Sequence, residues 1–72
     1  MKIKLRDLPL IYNIDKAHLY KDDHLIGETW VGSSLRFYLE EKFPQYLDYV
    51  IDTMAIGVEE SSDIIVIEIY FK

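Results

Sequence analysis

The C-terminal run Ile64-Ile65-Val66-Ile67-Glu68-Ile69-Tyr70-Phe71 constrains this chain more than any other segment. Side chains alternate along an extended strand, so Ile65, Ile67, Ile69 and Phe71 share one face. The opposite face, with Ile64, Val66, Glu68 and Tyr70, is half apolar as well. A strand that is apolar on both faces belongs in the middle of a sheet with cover on both sides. A chain of 72 residues has little material for two covers. Domains of this size bury only about 60% of the surface their unfolded chains expose. The sequence contains no Cys, so disulfides and thiolate metal sites are excluded as staples. Support must come from a dense core, a partner subunit, or both. Six Tyr, three Phe and one Trp supply the bulk for such a core. The second face, at Ile64, Val66 and Tyr70, is therefore the expected contact of a homo-oligomer.

The rest of the chain reads as further strands and one helix. Val50 to Val58 is a strand, and the polar stretch Glu59-Glu60-Ser61-Ser62-Asp63 joins it to the last strand as a hairpin. An earlier hairpin runs from Lys16–Lys21 to His24–Val31, with Asp22-Asp23 at its tip. Both aspartates accept turn geometry through side-chain bonds to their own backbone. A type I′ turn needs positive φ at both central positions, so a three- or four-residue loop is equally open, and with it the register. Carboxylates near His18 and His24 also raise a metal site. That would need an imidazole and a carboxylate facing the same way plus a further ligand, whereas a turn accounts for the aspartates completely.

Gly32-Ser33-Ser34 breaks the strand, and either serine suits a helix cap. Leu35, Tyr38, Leu39 and Phe43 fall at helical spacing, predicting a helix near 33–43. Pro44 ends it, and can itself open a short turn over 44–49. Phe37 lies off this stripe, and Trp30 and Tyr49 are ambiguous between core and surface. At the N-terminus Met1, Ile3 and Leu5 alternate with Lys2, Lys4 and Arg6 as a short strand. Pro9 predicts a single helical turn ending near Asn13. The expected architecture is one α+β domain over 1–72. It is ββαββ-like, an antiparallel sheet of the hairpins 16–31 and 50–71 with one main helix between them.

Charge separates along the chain. Residues 1–36 carry six Lys/Arg against five Asp/Glu, but residues 37–71 carry one Lys against eight Asp/Glu, a balance of −7. This half repels phosphate backbones, so direct nucleic-acid binding is disfavoured. It favours docking on a basic protein surface, with Glu40, Glu41, Tyr49, Glu59, Glu60 and Asp63 as the candidate partner-binding residues. No run of 18 apolar residues exists, and the first residues lack the apolar stretch of a signal peptide, so the expected location is cytoplasmic. The motifs of nucleophile elbows, phosphate loops and calcium loops are missing. No catalytic, metal or cofactor-binding residue is therefore expected, and no cofactor.

Three stretches carry a resemblance: His18-Leu19-Tyr20-Lys21-Asp22-Asp23 with Gly27, then Phe43-Pro44-Gln45-Tyr46-Leu47-Asp48-Tyr49-Val50-Ile51, then Asp63-Ile64-Ile65-Val66-Ile67-Glu68-Ile69. In this order the chain resembles small acidic proteins of phages and mobile elements in Gram-positive bacteria. The resemblance implies a non-enzymatic accessory protein that inhibits a host factor. Such proteins include inhibitors of bacterial defence systems, anti-CRISPR proteins among them. It carries no site residue across. The alternative is a structural homo-oligomer whose function arises from the assembly.

Overall fold

The computed structural model describes every residue except Met1, Lys2, Leu10, Tyr12 and Ser33. Five strands make one sheet: β1 Ile3–Lys4, β2 Lys16–Lys21, β3 His24–Trp30, β4 Val50–Glu59 and β5 Ile64–Phe71. Among the described residues the one α-helix, α1, spans Leu35–Lys42, and 3-10 turns occupy Leu5–Asp7 and Pro44–Tyr46.

The two expected hairpins form, each internally antiparallel. The tip of the first is a two-residue loop closed by the Lys21–His24 pair, with φ of 52° at Asp22 and 64° at Asp23. Positive φ at both positions is the condition for a type I′ turn. At the second tip the Glu59 carbonyl accepts from the amides of Ser62 and Asp63.

The sheet is not purely antiparallel, which corrects the expected arrangement. Lateral order is β1-β4-β5-β2-β3, and β5 runs parallel to β2 in register from Lys16–Val66 to Lys21–Phe71. β5, the strand apolar on both faces, thereby gains a strand neighbour on each flank, which removes its apolar surface from water. The connection through α1 lets β4 start in the same direction as β3, on the far side of β5. Side-chain alternation carries no information about that direction.

One sheet face holds the core. Ala17 and Leu19 from β2 and Ile67, Ile69 and Phe71 from β5 pack with Leu35 and Leu39 of α1. Leu5, Leu8, Ile14 and Val31 close the ends. Burying each such side chain stabilises the fold by about 1.5–3 kcal/mol. The helical segment leans toward β3: Phe43 lies where a Cβ on Gly27 would stand, and the Tyr46 hydroxyl donates to the Ile26 carbonyl. Far from that cover, Met54, Ile56 and Val58 on the same face of β4 stay exposed.

Three local expectations change. Among the described residues the N-terminal strand is Ile3–Lys4, and it ends there because Leu5 turns into the core within the 3-10 turn. The helical turn expected over 8–13 falls partly on Leu10 and Tyr12, outside the described residues. Leu8, Pro9, Ile11 and Asn13 are not helical, and Asn13 sits at φ 67°. Ser34 holds the N-cap position of α1 without a side-chain cap bond, and its buried hydroxyl has no partner. Ser33, the other candidate cap, lies outside the described residues.

Candidate functional site

The sheet face opposite α1 has no helix over it. Strand register sets its side chains in three rungs across β4, β5, β2 and β3. The rungs are Gly57, Val66, Lys16 and Trp30; then Ala55, Glu68, His18 and Glu28; then Thr53, Tyr70, Tyr20 and Leu25. In the first, Lys16 Nζ stands 5.1 Å over the exposed Trp30 ring. In the second, His18 Nε2 lies 3.3 Å from Glu28 Oε2, a contact too poorly aligned to count as a hydrogen bond. His18 Nδ1 faces the Tyr20 hydroxyl at 3.5 Å. In the third, Tyr20 and Tyr70 stack at 4.9 Å. Burial pushes both tyrosine hydroxyls above their usual pKa, and the Glu68 charge adds to the shift, because each disfavours a phenolate.

A groove of about 230 Å³ opens on this face, lined by His18, Gly57, Val58, Glu59, Val66 and Glu68. Its floor is apolar at Val66 and Gly57. Two carboxylates and an imidazole stand around it. An apolar floor with carboxylates suits a Lys or Arg side chain, whose stem is aliphatic and whose head is cationic. The floor is open because Gly57 has no side chain and nothing lies within 4 Å of where its Cβ would be. A second depression, near the first hairpin tip, gathers Asp22, Asp23 and Asp52 with Lys21, Lys72, Tyr20 and Tyr70.

The candidate residues divide between separate places. Glu59, Glu60 and Asp63 come together at the β4–β5 tip. Glu40 and Glu41 sit on α1, and Glu40 is paired with Arg36 at 3.1 Å. Tyr49 packs half-buried between Tyr46 and Phe71, with Lys21 Nζ over its ring. Of the candidate oligomer residues, Val66 is only 7% exposed and Ile64 and Tyr70 are half-buried. The bare apolar surface lies instead on β4, at Met54, Ile56 and Val58, which are 42%, 63% and 59% exposed. The signal for it was present in the alternation of Met54, Ile56 and Val58 along an uncharged run.

Asp22 and Asp23 are turn residues. Among the described residues no group of three or more His, Asp or Glu is placed to hold a metal ion, and no helix is long and apolar enough to cross a membrane. Ser34 is buried on the helix side of the sheet, away from His18 on the open face, so the two cannot act as nucleophile and base. No protein-family model, curated protein or solved structure matches the chain.

Proposed function

We propose that the chain is a small non-enzymatic acidic binding module that acts by occupying a basic surface of another protein. The reading extends to a surface that normally holds nucleic acid, in a host factor such as a defence protein. That last step follows the resemblance to acidic phage and mobile-element proteins.

The observation that carries the proposal is the division of ion pairs. Lys4 and Arg6 are taken by Asp48, Lys16 by Glu28, and Arg36 by Glu40. Asp52, Glu59, Glu60, Asp63 and Glu68 have no ion-pair partner among the described residues. These four cations are thus taken up internally, whereas the carboxylates of β4, β5 and the tip between them are left without ion pairs among the described residues. Lys and Arg recognise carboxylate and phosphate with the same charge and fork geometry, so such a surface competes for a nucleic-acid site.

The test uses two baits in a bacterial lysate, the parent and a variant with Glu59, Glu60 and Asp63 all changed to Lys. The expected result is a protein retained by the parent, released by added salt and absent from the variant. Screening shortens the reach of exposed charges to about 8 Å at physiological ionic strength, so the release should be steep. If all captured proteins ignore both salt and the reversal, the acidity serves solubility alone.

A further inference from the structure

The outer edge of β4 is open over most of its length. Its inner side pairs with β5 along most of its length, whereas β1 pairs with it only at Val50 and Ile51. From Asp52 to Glu59 the outer side has no strand partner among the described residues. An unpaired edge presents a row of backbone donors and acceptors that templates another strand. Edges are ordinarily blunted by charge, proline or brevity. Here Thr53-Met54-Ala55-Ile56-Gly57-Val58 contains no charge and no proline.

We propose that this edge takes up an extended segment of a partner protein in which apolar residues alternate with Lys or Arg. The proposal rests on the binding-module reading above and names the mode and chemistry of the contact. Three observations fix the occupant. The helix-side row of β4, Met54, Ile56 and Val58, is exposed and needs apolar neighbours on the same side of the added strand. On the other side, a strand laid beside β4 points its alternate residues across Gly57 into the groove of Val66, Glu59 and Glu68. A long cationic side chain fits there. Finally, the chain already shows how this edge is filled. Ile3 pairs with Ile51 and Lys4 with Val50, while Lys4 and Arg6 reach Asp48 just before β4 begins. The two described residues on this edge are thus one apolar and one basic, and the partner extends that pairing along the edge.

A second copy of the chain is the weaker occupant. Antiparallel pairing of two β4 strands about their uncharged centre sets Asp52 of one copy close to Glu59 and Glu60 of the other, and like charges across a sheet destabilise it.

The experiment titrates the protein with a synthetic peptide of alternating lysine and valine and follows its backbone amide resonances. Expected shifts concentrate on Asp52–Glu59 and the neighbouring β5 residues. The edge amides become slower to exchange. A glutamate–valine peptide binds at least about tenfold more weakly, and the lysine–valine peptide N-methylated throughout produces no shifts, because it cannot donate to the edge. Glu68→Gln weakens binding of the parent peptide roughly two- to fivefold, the size of one partly screened charge contact. The proposal is overturned if no shifts appear at millimolar peptide, if the N-methylated peptide binds equally well, or if the shifts fall on α1 instead. In each of those cases a salt-sensitive capture lost in the Glu59/Glu60/Asp63 reversal would leave the binding-module reading standing. If the protein alone shows concentration-dependent shifts on β4, the edge belongs to a second copy and the proposal also falls.

Discussion

β3 and β4 are the outer strands of two hairpins built on the same plan, yet the fold treats them oppositely. β3 receives Phe43 over Gly27 and the Tyr46 hydroxyl on its backbone. Its open face is laced by Glu28 to Lys16 and His18. β4 receives β1 over two residues and then nothing among the described residues. The inner strands β2 and β5 are alike in depth, with Ala17, Leu19, Ile67 and Ile69 almost fully buried. What differs is where a single helix is able to lean. α1 packs on β2 and β5, and β4 beyond it carries the exposed apolar row beside Asp52 and Glu59, which have no ion pair among the described residues. A small domain thus covers the face of one outer strand and leaves that of the other bare.

The sharpest way to break this contrast compares two isoleucines in one rung. Ile67 on β5 and Ile56 on β4 face each other in register on the same side of the sheet. Ile67 is 1% exposed and Ile56 is 63% exposed. Ile67→Ala should cost about 2–5 kcal/mol through lost burial and the cavity left behind. Ile56→Ala should stay within about 0.5 kcal/mol, as for other surface changes. Urea unfolding of both variants decides it. Equal losses would mean that β4 is covered in solution.

The second comparison uses the glycines. A Cβ at Gly27 would stand 2.7 Å from Phe43 Cε1, inside any tolerable contact, whereas a Cβ at Gly57 meets nothing within 4 Å. Gly27→Ala should therefore lower stability by about 1–3 kcal/mol, since the Phe43 ring must move. Gly57→Ala should raise it by about 0.4–1 kcal/mol, chiefly by restricting the unfolded chain. Thermal melts of the two variants should shift in opposite directions. A destabilised Gly57→Ala would show that something packs on β4 at that position.

Much of this frame was legible in the sequence, and the misses share a cause. The hairpins, the helix and the Asp22-Asp23 turn are local, and local patterns encode them: alternation, helical spacing, turn-forming side chains. The parallel seam between β2 and β5 was not legible, because alternation fixes faces but not direction. The same blindness misplaced the bare surface. β5 reads as apolar on both sides, which suggested exposure at Ile64, Val66 and Tyr70. As an inner strand, however, it has neighbours on both flanks that bring Val66 to 7% exposure. Exposure fell instead on β4, which reads as an ordinary strand. At the candidate site the acidic charge was legible, but its pairing was not. The sequence already put Glu59, Glu60 and Asp63 at one hairpin tip, but the fold shows Glu40 taken by Arg36 and those three left without ion pairs among the described residues.

The tips of the two hairpins sharpen the comparison further, with a smaller effect. Asp22 and Asp23 both hold positive φ, a region costly for residues with a Cβ. Aspartate tolerates it better than most, and glycine carries no such cost. Replacing the pair by Asn-Gly should stabilise the protein by about 0.5–1 kcal/mol. The five-residue tip at 59–63 has only Asp63 at positive φ, at 55°, and offers less to gain. A fall of more than a few degrees in melting temperature for Asn-Gly would sink the argument. So would stabilisation of the parent by zinc, which would give Asp22 and Asp23 a role beyond the turn.

The smallest effect at neutral pH concerns the seam that joins the hairpins. Tyr70 of β5 and Tyr20 of β2 stack there, and burial with the Glu68 charge raises both hydroxyl pKa values above the ordinary value of about 10. In the unfolded chain these hydroxyls ionise first. Between the unfolded and folded values the native state therefore holds more protons than the unfolded state. Stability linked to them is fully present below pH 10 and declines as pH rises through the folded values. Tyr70→Phe should match the parent at pH 8, where neither state ionises. Above pH 10 the parent should lose stability more steeply than the variant, and Tyr20→Phe combined with Tyr70→Phe should flatten that limb further. Denaturant midpoints at pH 8 and pH 11 measure the difference, in which the titration of lysines elsewhere cancels. Parallel losses in parent and variants would mean that the tyrosine pair is as open to water in the folded seam as in the unfolded chain.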